Sequence, residues 1–148
     1  MTKGLDPHPS SLPTTLSRSY KLLGVETDAF VQLFQDRIVL GISQRQQKIG
    51  TWCYVSAAQS AVDPRAIDWD ISNVLGDRND VLLGVYARQI AEQLIAAKLF
   101  SGDGLHSNRV AVLLGATLQD GGKDPEMFRV VIEVLVQLIR DAVAQQNQ

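Results

Sequence analysis

The sequence is poor in the residues that usually announce chemistry. It holds one cysteine, Cys53, among 148 residues. A single thiol excludes a disulfide framework within the chain and fits a reducing compartment. Cys53 lies in an apolar strand, where a small buried hydrophobe is the simplest reading. The two histidines, His8 and His106, stand in no metal-ligand spacing with each other or with Cys53. No Ser-His-Asp set can be assembled around them. The glycines of "GDG" at 102–104 and "GG" at 121–122 lack the strand–glycine–helix context of a phosphate loop. They read as helix-ending and turn glycines. A formal net charge of -2 exerts no global pull toward nucleic acid or membrane. Basic residues scatter without the interleaved aromatics of a single-strand groove. No apolar run reaches bilayer length. The opening "MTKGLDPHPSSLPTT" has three prolines and no apolar core of a secretory signal. No catalytic, cofactor or metal site is expected, and neither nucleic acid nor membrane as a partner. The cytoplasm, or the nucleus, follows by elimination.

What the chain does have is apolar strand and helix pattern. Hydrophobic residues make up 45% and charged residues 20%, enough to bury one core without disulfides. Residues 1–15, rich in Pro, Ser and Thr, read as a flexible tail. A single domain is expected over 16–143, with a frayed end at 144–148.

Within the domain, "LSRSYKLLG" and "TDAFVQLFQ" read as a hairpin. "RIVLGIS" and "IGTWCYVSA" follow, joined by "QRQQK", which suggests a four-stranded antiparallel meander. "QSAVDPRAIDWDIS" breaks the pattern, and "NVLG" reads as a short fifth strand. "DVLLGVYARQIAEQLIAAKLF" is a helix, with Leu83, Tyr86, Ala87, Ile90, Leu94 and Ala97 on one face and Asp77 or Asn79 as its cap. "RVAVLLGATL" is a further strand. "PEMFRVVIEVLVQLIRDAV" is a second helix, capped by Asp124, with Phe128, Val131, Ile132, Leu135, Leu138, Ile139 and Ala142 inward. The fold class is α+β: a mainly antiparallel sheet of five to six strands with two helices on one face, in the order β-β-β-β-(β)-α-β-α.

The central strands are apolar on both sides. Ile38, Leu40 and Ile42 oppose Val39; Cys53 and Val55 oppose Trp52 and Tyr54; Val110, Val112 and Leu114 oppose Ala111, Leu113 and Gly115. Two helices cover one face of such a sheet and leave the other bare. A large contiguous apolar face in water is avoided by soluble monomers. A second sheet packed about 10 Å away would cover it, and the chain has no strands left to supply one. Pairing with a second chain as an αββα sandwich is the economical solution. The competing solution is a strongly twisted sheet with segment 59–73 folded over the face.

Three loop residues stand out as partner-binding candidates. Arg45 and Lys48 lie at a polar tip, suited to an acidic patch on a partner, or to a merely solubilising turn. Trp69, in a loop beside Asp68 and Asp70, could be a partner hot spot, or could fold back to close the edge of the core. The carboxylates of "DWD" and "GDRND" lack the spacing of a calcium loop and read as solvated charges and helix caps.

In this order and spacing, "KLLGVET", "RIVLGISQRQQKIGTW", "NVLGDRND" leading into "VYARQIAEQL", and "RVAVLLGATLQD" followed by "MFRVVIEVL" resemble the proteasome assembly chaperone 3 family, a relative of proteasome assembly chaperone 4. The resemblance spans about residues 18 to 141. It departs from the family in the proline-rich tail and in "SGDGLHS", which is long for it. It implies a non-enzymatic, ATP-independent chaperone. Such a chain pairs with a chaperone 4-like subunit or with itself, binds α-type subunits of the 20S proteasome, α5 above all, and helps assemble the α-ring. Two other readings compete. One is a roadblock- or longin-like dimeric adaptor of a GTPase or trafficking complex, which a helix within residues 16 to 34 would favour. The other is a small enzyme using His106 with a loop carboxylate.

Overall fold

The computed structural model describes residues 13–63, 65–99 and 109–147. Five strands come first: β1 (Thr14–Leu22), β2 (Val25–Leu33), β3 (Ile38–Gln44), β4 (Trp52–Gln59) and β5 (Ile67–Leu75). Helix α1 (Val81–Ala97), strand β6 (Arg109–Thr117) and helix α2 (Pro125–Gln146) complete the order. The six strands form one sheet in the order β1-β2-β3-β6-β4-β5. Strand β1 starts two residues ahead of the expected domain start at Leu16, and α2 runs into the stretch expected to fray.

The expected four-stranded meander is corrected. The pairs β1–β2 and β2–β3 do run antiparallel, but β6 enters between β3 and β4, parallel to β3 and antiparallel to β4. "QRQQK" is therefore no hairpin tip. It begins a crossover that leaves β3 and skips one strand position before β4. The physical reason is burial. β6 is the most continuously apolar strand of the chain, and the centre of a sheet buries more of a strand than its edge does. Segment 67–75 is a full edge strand, paired to β4 from Gln59↔Ile67 to Trp52↔Leu75. It lies in the sheet and does not fold over the bare face.

The inward alternation sets the core. Val25, Ala29, Val31 and Leu33 of β2 are buried with Ile38, Leu40 and Ile42 of β3, Val110, Val112 and Leu114 of β6, and Cys53 and Val55 of β4. Both helices lie on this face, α1 over β4 and β6, α2 over β1 and β2, and they touch each other. The buried stripe of α1 is Leu83, Tyr86, Ala87, Ile90, Ala91 and Leu94; Ala97 is only half-buried. Its cap is Asp80, one residue beyond the expected Asn79; the Asp80 carboxylate accepts from the Leu83 N–H at 3.1 Å. Gly84 lets α1 settle on β5, because a Cβ there would stand 3.2 Å from Ile71 Cγ2. In α2 the cap is Asp124, accepting from the Glu126 N–H at 3.0 Å, with Pro125 in the first turn. Met127 takes a buried place in the α2 stripe, and Phe128 is half-buried with its ring 4.4 Å from that of Tyr86. Each fully buried Leu or Ile of this layer contributes about 1.5–3 kcal/mol.

Candidate partner-binding surfaces

The face opposite the helices is built on two glycines. Across the six strands one row reads Ser17, Phe30, Gly41, Gly115, Trp52, Leu75. Gly41 and Gly115 are paired neighbours on the two central strands. The Phe30 ring lies down over Gly41, so close that a Cβ there would be 2.0 Å from Phe30 Cε1. From the other side Trp52 and Ile49 close over Gly115, where a Cβ would meet Trp52 Cδ2 at 2.6 Å and Ile49 Cγ2 at 2.7 Å. The next row carries Gln32, Val39, Leu113, Tyr54 and Ser72. Phe30, Val39, Ile49, Trp52, Tyr54 and Leu113 are all half-buried. Around them the face turns polar, with Ser17, Ser19, Asp28 and Ser43 at one side and Ser56, Asp70 and Ser72 at the other. An apolar centre inside a polar rim is the anatomy of an association surface.

A smaller apolar strip follows the free edge of β5, where Ile67, Ile71, Val74 and Leu75 are exposed beside Val81 and Val85 of α1.

The three residues singled out in the sequence are not brought together. Arg45 and Lys48 are exposed in the crossover after β3. The Arg45 N–H donates to the Glu26 carbonyl at 3.0 Å, and the Lys48 carbonyl accepts from Thr117 Oγ1 at 2.8 Å. Trp69 is not in a loop. It sits within edge strand β5 on the helix side, half-buried against the core, with the Arg88 guanidinium 4.6 Å over its ring. Asp68 and Asp70 project to the other face. Asp77 accepts from the Asn79 N–H at 2.9 Å, and with Asp80 it shapes the start of α1. His8, His106 and the "GDG" and "SGDGLHS" stretches lie outside the described residues.

Two interior features escaped the sequence reading. Gln44, only 2% exposed, ends the inward series of β3. Its amide donates to Thr27 Oγ1 at 3.1 Å, and its carbonyl accepts from the Gln119 N–H at 2.8 Å. Thr27 in turn donates to the Val25 carbonyl. The alternation Ile38, Leu40, Ile42 does place Gln44 inward, and that was the available signal. The second feature is Tyr86, whose hydroxyl donates to the Gly122 carbonyl at 2.7 Å. Burial, and secondarily the Asp124 charge, push its pKa up to about 12. Cys53 is buried in the core, and burial pushes its thiol up, which holds it in the unreactive protonated form.

No curated protein sequence matches the chain. Among solved structures it is similar to a chain from the crystal structure of a novel chaperone complex for yeast 20S proteasome assembly. The identity is 17%, the TM-score is 0.55, and the match covers 89% of this chain and 98% of that one. At this identity the likeness speaks for the fold: an α+β sheet with two helices. The family match is to the sequence itself. The profile of proteasome assembly chaperone 3 matches residues 40–138, which run from the middle of β3 through most of α2 and take in both glycines of the bare face. The chain belongs to the proteasome assembly chaperone 3 family.

Proposed function

We propose that the chain is a non-enzymatic, ATP-independent chaperone that binds α-type subunits of the 20S proteasome, α5 foremost, and promotes α-ring assembly in the cytoplasm or nucleus. It pairs through the bare sheet face with a chaperone 4-like subunit or with a second copy of itself. The observation that carries this reading is the face itself. Its apolar residues gather on the central strands and its polar residues on the rim, as a surface that docks on another sheet requires. The chaperone complex to which the fold is similar supports the same reading. The α-subunit contact falls on the crossover after β3, with Arg45 and Lys48, and on edge strand β5, with Trp69. A contact of moderate size with polar edges can be displaced by a later-arriving subunit, so release needs no covalent step. The adaptor reading loses its support, because residues 14–33 form two strands and no helix.

The test is a tagged pull-down with identification of the co-purifying chains, joined to light scattering of the purified protein. Proteasome α-type subunits, a small related chain, and a dimeric mass are expected. Arg45→Glu with Lys48→Glu, and separately Trp69→Ala, should lose the α-type subunit and keep the pair on gel filtration. A monomeric mass together with no α-type subunit would sink the reading.

A further inference from the structure

At one end of the sheet two tight turns meet. In the β1–β2 hairpin the central residues are Leu23 and Gly24, with φ of 49° and 82°. After β3 the central residues are Arg45 and Gln46, both with φ of 58°, and the Gln47 N–H closes this turn on the Gln44 carbonyl at 3.3 Å. Positive φ at both central positions is the type I′ requirement, which Asn, Asp and Gly meet readily. Three of these four positions carry a residue that resists it. The other non-glycine residues with positive φ have plain local reasons: Lys98 caps the end of α1, and Asp120 is of a type that tolerates the conformation.

The side chains of Leu23, Arg45 and Gln46 lie outside the core cluster. Leu23 is 47% exposed and stands apart from the core cluster. Among the described residues, the side chains of Arg45 and Gln46 make no hydrogen bond or ion pair. Between the two turns lies a cleft of about 380 Å³ lined by Lys21, Gly24, Val25, Glu26, Arg45 and Gln46. Its charges are two cations against one carboxylate, and Lys21 and Arg45 have no ion-pair partner among the described residues. Residues held in strained backbone with their side chains directed at solvent fit a surface kept for binding.

We propose that these paired turns form a docking tip for an acidic loop of the α-type subunit, with Leu23 as the apolar anchor and Lys21 and Arg45 as its cationic flanks. This rests on the chaperone reading and adds a residue, Leu23, and a ligand chemistry to it. A docking tip built against backbone preference has a consequence that an ordinary turn lacks. Substitutions that relax the backbone should raise stability and weaken binding together.

The experiment uses the full chain and purified α5-type subunit. Leu23→Asn, Arg45→Asn and Gln46→Gly are compared with wild type in melting temperature, in subunit capture and in pair formation on gel filtration. Leu23→Asn and Gln46→Gly should each raise the melting temperature by roughly 2–4 °C. Leu23→Asn and Arg45→Asn should each weaken capture by roughly tenfold, Gln46→Gly by less, with the pair unchanged. Lys21→Glu should weaken capture and reduce its salt dependence. Full capture by all the variants, or a lower melting temperature in both relaxed turns, overturns the proposal while leaving the chaperone reading intact. A wild-type chain that captures no α-type subunit overturns both.

Discussion

The two faces of the sheet are made by the same six strands and end in different states. On the helix side, every inward residue of β2 from Val25 to Leu33 is buried, and the polar pair Thr27 of β2 and Gln44 of β3 is dry and satisfied by bonds to each other, to the Val25 carbonyl and from the Gln119 N–H. On the opposite side the largest residues are half-buried with no second layer among the described residues. They reach that state by lying down. Gly41 and Gly115 open a shallow floor, and Phe30, Ile49 and Trp52 fold across it. The comparison separates two uses of apolar surface. The helix face is buried by folding and contributes to stability directly. The bare face is partly covered by its own aromatics, which limits the patch shown to water.

The strongest test of this difference places one substitution on each face. Leu135 is fully buried in the centre of the α2 stripe. Leu135→Asp forces an unpaired carboxylate into the core and removes a large apolar contact, at a cost of about 4 kcal/mol or more. Circular dichroism should show a chain largely unfolded at room temperature. Leu113→Asp makes the same chemical change on the bare face, between Val39 and Tyr54. Its charge can reach water, so the expected cost is only about 1 kcal/mol, with a folded spectrum and a lost dimeric mass. Equal unfolding by both variants would break the comparison, because the bare face would then be as dry as the core.

The same contrast explains what could be read from the sequence. Both helices and their inward faces follow from 3.6-residue spacing, because a buried stripe leaves a period. The strands of the centre were legible for the same reason, with Ile38, Leu40 and Ile42 on one side and Val39 on the other. Strand β5 was not. It is an edge strand with Asp68, Asp70 and Ser72 on one side and a largely exposed Ile67 and Ile71 on the other, so it leaves no apolar alternation and its centre resembles a loop. Without that alternation Trp69 reads as a loop residue. The insertion of β6 between β3 and β4 was also hidden, since pairing between distant segments leaves no local mark. For the surface, the apolar bare face was visible in the opposed residues of β3, β4 and β6. The glycine floor beneath its aromatics was not, because it depends on Gly41 and Gly115 being register partners. Arg45 was legible as a charged tip, but Leu23 was hidden, since only backbone angles separate a strained leucine from an ordinary one.

A gentler change sharpens the comparison at the floor itself. Gly115→Ala adds one methyl group where Trp52 and Ile49 already press. The Trp52 ring must lift, at a cost of about 1–3 kcal/mol. Melting temperature should fall by a few degrees, and near-ultraviolet circular dichroism should show Trp52 in a changed setting. The lifted ring exposes more apolar surface, so pairing should be altered along with stability. An unchanged tryptophan signal would mean that the floor is not what holds the ring down.

The smallest effect expected concerns charge, and it tests whether the helix face depends on it at all. Arg18 of β1 is ion-paired to Asp141 of α2, and Gln137 also donates to Asp141, at 2.9 Å. The Arg18 hydrogen bond, then that from Gln137, hold the Asp141 carboxyl below its ordinary value. A depressed carboxylate contributes stability above its unfolded pKa and loses that contribution as pH falls through the depressed value. The difference in melting temperature between wild type and Arg18→Ala should therefore be positive near neutrality and fade below roughly pH 4. It should also shrink with added salt, because both groups are open to solvent and the pair is screened. Gln137 keeps part of the depression in the variant, so the difference is smaller than complete loss of the site would give. A difference that persists in acid would assign Arg18 a packing role instead, its aliphatic stem lying along α2. In either case the shift should be far below that of Leu135→Asp. The tie joins the β1 edge to α2 across water, whereas the layer beneath it is held by apolar burial.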